Sequence, residues 1–146
     1  MRVFVVQRLR GNLDAIRSAV EAQGIAHASS IAYLRSAQEV ALAIQEIPTG
    51  ATLVVVSGSV LRYGSSSYDG IYLARAVKRS HPQALCFSYS VMPAQDAAID
   101  GVIPKKDGTL CTGDHDCLVR FLAVLRDGVT LADLRAAVPE IRSGTP

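Results

Sequence analysis

Gln7, Arg8, Ser57, Gly58, Ser88 and Lys105 are the residues of this chain whose types and spacing could do chemistry together. Each follows a short apolar run: VFVV leads to Gln7 and Arg8, LVVV to Ser57 and Gly58, ALCF to Ser88, and GVIP to Lys105. If those runs are parallel strands, their ends lie along one rim. A guanidinium, an ammonium, two hydroxyls and the backbone N–H groups of a glycine loop would then suit an anion. The alternative turns Arg8 to solvent and bonds Lys105 to a loop carbonyl. The same set also excludes chemistry. Glutamine offers a metal only a neutral carbonyl and arginine repels it, so a hard cation such as Mg²⁺ lacks its carboxylate oxygens. No histidine or carboxylate stands by sequence where it could activate the Ser57 hydroxyl.

Other motifs dissolve on inspection. Residues 64–67 read GSSS, without the lysine and the glycine spacing of a phosphate loop. They suit a connecting or partner-contacting loop better. Ser57 is no hydrolase elbow, because position 55 is valine and position 59 is serine. Cys111, His115 and Cys117 do not have zinc spacing and lack a fourth ligand. Neither a metal nor an organic cofactor is expected. Cys86 sits in an apolar run as a small core residue. His27 and His81 have no evident partners and are expected at surface or loop positions.

The elements that must position the set follow from periodicity. A chain of 146 residues that is 49% hydrophobic is read as one domain with its own core. Residues 2–7, 51–57, 84–88 and 101–104 read as buried strands, and 25–30 as a weaker edge strand. Asn12 is the expected cap of a first helix carrying Leu13, Ile16, Ala19 and Val20 inward and closed by Gly24. Ser36 and Glu39 form a capping box for a second helix, which Pro48 stops. Residues 68–80 and 115–126 read as further helices. A small helix over 130–138, capped by Thr130 and with Leu131, Leu134 and Val138 at helical spacing, packs back on the domain or else mediates self-association, and it precedes a loose tail at 142–146. Tyr33, Leu34, Tyr63 and Tyr68 are either interface residues or half-buried packing. Strand–helix alternation calls for a doubly wound parallel α/β sheet of five strands, flavodoxin-like, in the order 2-1-3-4-5. Ligands of such sheets sit beyond the strands' carboxyl ends. The boundaries predicted are 1–127 for the main domain and 128–146 for a C-terminal extension.

Composition narrows the partners. The net charge is +2 and no Lys/Arg block stands out, so nucleic acid is not expected. The apolar runs are too short for a bilayer, and no signal peptide is read at the start. Three cysteines make no disulfide framework, which points to a reducing cytoplasm.

The ordered set of strand ends, together with DGIYLARAVKRSHP from residue 69 to 82, resembles the receiver domain of two-component response regulators over roughly residues 1–126. LVVVS is similar to the strand ending in the phosphorylated aspartate, ALCFS to the strand ending in the Ser/Thr switch residue, and DGVIPK to the strand carrying the invariant lysine. Gln7 and Arg8 stand where the family has its metal-holding acids, and Ser57 where it has the aspartate. Less chain lies between Ser88 and Lys105 than the family spends on its fourth helix, so that helix is expected to be shortened or replaced by a loop. The resemblance implies a pseudo-receiver: a non-catalytic module acting by docking to a signalling or regulatory protein, independently of phosphorylation, with homodimerisation open. The alternative is a small anion or ligand sensor using the degenerate pocket. An enzyme on the same scaffold ranks below both.

Overall fold

The most β-branched runs of the chain form the middle of its sheet. In the computed structural model, which describes residues 1–61, 68–105 and 115–145, β1 (Arg2–Val6) lies between β2 (Ile31–Leu34) and β3 (Leu53–Ser57). β4 (Leu85–Ser88), β5 (Gly101–Val102) and β6 (Arg142–Ser143) continue outward, giving six strands in the order β2-β1-β3-β4-β5-β6. The first five are parallel and β6 is antiparallel. Every residue of β3 is buried, as a central strand covered on both faces requires.

Strand alternation sorts the core into two layers. Val3, Val5, Val54, Val56 and Phe87 face α1 (Arg10–Gln23), α4 (Asp116–Ala123) and α5 (Leu131–Ala137). Phe4, Val6, Leu53, Val55 and Cys86 face α2 (Ala37–Ala43) and α3 (Tyr68–Ser80). The chain is therefore α/β with a mostly parallel sheet and helices on both faces, compatible with a flavodoxin-like fold.

Several expectations need correction. Among the described residues the sheet has six strands rather than five, because the tail is not loose: Val102 pairs with Arg142 and Gly101 with Ser143. Gly144 permits this approach, since a Cβ there would lie 1.9 Å from the Ile99 carbonyl oxygen. The small helix before the tail does pack back on its own domain, with Leu134 and Val138 fully buried and Ile141 beside them. The edge strand is Ile31–Leu34 rather than residues 25–30, where the small residues Ala28–Ser30 close a 3-10 turn. α1 starts before Asn12, with Leu9 at its cap position and no side-chain cap bond, so Asn12 is an interior helical residue. Gly24 does close α1, in the left-handed conformation at φ 62°.

Between β4 and β5 the helix is not shortened but replaced by a loop, the second of the two forms expected: residues 89–100 hold bends and turns and no helix. Point attachments hold them. The Ala94 N–H donates to Ser88 Oγ at 3.0 Å, Asp96 N–H to the Gly144 carbonyl at 2.8 Å, and Asp100 N–H to the Cys86 carbonyl at 2.7 Å. Arg75 and Lys78 of α3 pair with Asp96 and Asp100 at 2.6 and 2.8 Å. Among the described residues no helix is long and apolar enough to cross a membrane.

Candidate functional site

Register brings the chosen strand ends to one edge. Val6 stands opposite Ser57, Ser57 opposite Ser88, and Ser88 opposite Val102. Gln7 extends β1 by one residue, its N–H bonding the Leu34 carbonyl at 3.0 Å, and Gly58 extends β3 with its N–H on the Val6 carbonyl at 2.9 Å. Beyond this edge lies a cleft of about 410 Å³. Gln7, Arg8, Gly58 and Lys105 line it; Ser57 and Ser88 do not.

The two serines are missing for a reason of parity. Residues alternate across a sheet, so Ser57 continues the row of Leu53 and Val55, and Ser88 that of Cys86, toward α2 and α3. Both are buried, and Ser88 Oγ accepts the Ala94 N–H. Their neighbours Gly58 and Tyr89 belong to the other face. The strand ends gather at one edge, while the two hydroxyls lie on the face away from the cleft.

Gln7 is 4% exposed and acts as a cross-brace. Its Nε2 donates to the Tyr89 carbonyl at 3.2 Å, joining the end of β1 to the end of β4 across β3. Gly58 lies under this amide, with its Cβ position 3.4 Å from Gln7 Nε2. On α3, Gly70 is required at close quarters: a Cβ there would lie 2.6 Å from the Gly58 carbonyl oxygen, and its N–H bonds the Ser59 carbonyl at 3.1 Å. Ser59 Oγ donates to the Met92 carbonyl at 2.6 Å, fastening the β4–β5 connection to the other rim.

The electrostatics of the cleft are cationic. Arg8 and Lys105 line it, and no carboxylate does so among the described residues. The Lys105 ammonium stands 5.3 Å from the centre of the Tyr89 ring. Burial lowers its pKa from the usual lysine value. The Tyr89 hydroxyl and His115 Nδ1 share a 2.5 Å hydrogen bond beneath. Arg8 also offers its carbonyl to Arg35 Nε at 3.2 Å.

Residues not singled out from sequence complete the lining: Asn12, Ser59, Val60, Ser90, Val91 and Met92. Asn12 is a polar residue on an otherwise apolar helical stripe, a pattern that suits an interior position as well as a cap. Its side chain is 4% exposed, and its Oδ1 has no hydrogen-bond partner among the described residues.

A second concavity, about 520 Å³, lies between α2 and α3 on the opposite side of the sheet from α1. Ala37, Val40, Ala41, Ile44, Leu61 and Leu73 make it apolar. Tyr72 lines it at 61% exposed, and Leu42 of α2 is 70% exposed.

Other expectations resolve as follows. His81 stands in the loop after α3, as expected, but is buried there, and its Nε2 donates to the Ile47 carbonyl at 2.8 Å. His27 Nε2 donates to the Leu122 carbonyl at 2.7 Å. Tyr33 lies in β2 under the Arg17 guanidinium, 4.6 Å from its ring centre. Cys111, Tyr63 and the loop over 64–67 lie outside the described residues. No group of three or more His, Cys, Asp or Glu gathers as a metal site among the described residues. No protein-family model matches the chain, and neither a curated protein nor a solved structure matches it.

Proposed function

We propose that this chain is a receiver-like docking module of bacterial signal transduction, non-catalytic and independent of phosphoryl transfer. The observation that carries the reading is the buried bond from the Gln7 amide to the Tyr89 carbonyl. A neutral side chain that braces two strand ends takes the place of acids that would need a metal. The cleft can then keep its shape with neither phosphoryl group nor Mg²⁺ to hold it. The resemblance of the strand ends to those of receivers supports the scaffold half of the proposal.

The docking half rests on the α2–α3 face. With no helix between β4 and β5, the surface by which receivers ordinarily signal is altered. Leu42 and Tyr72 instead present large apolar side chains beside an apolar groove. Exposed apolar patches rimmed by polar groups mark protein contacts. Cross-linking mass spectrometry on the full chain in extract of its source cells tests both halves. One protein should be captured equally with and without acetyl phosphate and Mg²⁺. Leu42→Glu with Tyr72→Glu should abolish the capture. Capture that requires acetyl phosphate would refute the independence, and capture untouched by the double variant would refute the docking face.

A further inference from the structure

The cleft at the sheet's carboxyl edge holds one buried acceptor that the fold itself does not use. Among the described residues, Gln7, Asn12, Ser59 and Ser90 are its uncharged polar side chains. Three of them are engaged within the chain. Gln7 Nε2 donates to the Tyr89 carbonyl, Ser59 Oγ donates to the Met92 carbonyl, and Ser90 Oγ accepts the Met92 N–H at 3.3 Å. Asn12 differs: it is more than nine-tenths buried, and its Oδ1 has no partner among the described residues. A buried acceptor left unmet is costly, so a ligand that brings it a donor is favoured. Charge narrows what can bring that donor. Arg8 and Lys105 line the same cleft without a carboxylate among its described lining, so a cationic ligand is repelled. Lys105 also lines the neighbouring concavity with Asp116 and Glu140, so its charge is not reserved for an anion. A bare anion would set its lone pairs against Oδ1. A neutral ligand carrying its own N–H satisfies both conditions.

The Asn12 carboxamide holds Nδ2–H donors beside Oδ1 in one plane. The group that answers both at once is an N–H next to an acceptor, the kind of edge that carboxamides read on nucleobases. Val60, Val91 and Met92 give the cleft an apolar wall, and the thioether of Met92, 78% exposed at the rim, packs well on a flat ring. From this juxtaposition we infer that the cleft binds a small neutral cyclic amide, a lactam or imide such as free nucleobases carry. Its N–H and C=O pair with the Asn12 amide, and its ring face lies against Val91 and Met92. The volume, about 410 Å³, is that of a small-molecule pocket. The binding is non-covalent and needs no metal, and it does not depend on the docking role proposed above.

Titration of the ¹⁵N-labelled full chain, without any partner, with uracil, hypoxanthine, 1,3-dimethyluracil and inorganic phosphate tests it. Uracil or hypoxanthine should move the Asn12 side-chain amide signals in a saturable way. 1,3-Dimethyluracil keeps the ring and the carbonyls but has no N–H, and it should bind about tenfold or more weakly than uracil. Inorganic phosphate should leave the Asn12 signals in place. Asn12→Leu removes the amide and keeps the volume, and it should weaken both lactams by about tenfold or more. Met92→Ser, at an exposed position that folding does not need, should weaken them too and leave the melting temperature unchanged. It decides the matter with the methylated ring should Asn12→Leu fail to fold. No response to either lactam at millimolar concentration, equal binding of 1,3-dimethyluracil or of inorganic phosphate, an Asn12→Leu chain that melts normally and binds as before, or a Met92→Ser chain with unchanged affinity would each overturn the inference.

Discussion

Burial pushes the Cys86 thiol up to about 12, with Lys78 opposing and Asp100 reinforcing the shift. The thiolate is the nucleophile, and burial raises the Cys117 thiol as well. Accessibility therefore separates the two: the buried Cys86 should resist iodoacetamide in the native chain while the half-buried Cys117 reacts more slowly than a free thiol but measurably. Peptide mapping checks this, and equal labelling of the two would contradict the packing of β4. A folded pKa above the unfolded one means stability is fully present below the ordinary thiol range. It is lost as pH rises toward the folded value, because the unfolded chain ionises first. Gln7 gives a second residue-scale prediction. Gln7→Ala removes the donor to the Tyr89 carbonyl and should cost about 1–3 kcal/mol. Denaturant unfolding should show a lowered midpoint with an unchanged slope. Gln7, Arg8, Gly58 and Lys105 were legible as cleft residues because each follows a run of strand-forming residues. Ser57 and Ser88 were not, because a single step of strand parity decides which face a hydroxyl takes.

At the scale of elements, the short helices depend on their starts. Ser36 with Glu39 and Thr130 with Asp133 both make complete capping boxes. Ser36→Ala and Thr130→Ala should each cost about 1 kcal/mol, read as a drop in melting temperature. Both boxes were open to sequence, though only the first was recognised as such, because Asp at the third position matches the pattern less closely than Glu. The start of α1 was misplaced because a capping residue and a buried polar residue look alike on a sequence. The edge strand slipped because tertiary pairing with β1, rather than local propensity, selects Ile31–Leu34. Three carboxylates are held below their ordinary pKa: Asp96 by Arg75, Glu140 by Arg120, and Asp133 by the Thr130 N–H. Depressed folded values contribute stability above the unfolded carboxylate range and lose it as pH falls through them. Acid should therefore loosen the β4–β5 connection and the end of the chain first. Hydrogen exchange at low pH would detect this, and added salt should weaken the effect at neutral pH.

For the whole molecule, strand–helix alternation revealed the class of fold, because each buried parallel strand needs a covering helix. What it could not reveal was closure, since a two-residue strand has too little sequence to carry a pattern. The last helix and strand complete the core rather than append to it, and a chain ending at Asp127 would expose the pockets left by Leu134 and Val138. Leu134→Ala in the full chain should cost about 2–5 kcal/mol, and the truncated chain should show a broad, low-temperature melt in calorimetry. The closing strand has one more effect. Sheets grow by recruiting neighbours at their margins. Here the β5 margin is capped by a reversed dipeptide that offers little to template, while β2 remains outermost on the other side. Among the described residues the longer β2 margin, rather than the margin closed by β6, is therefore the one with backbone groups to offer an added strand.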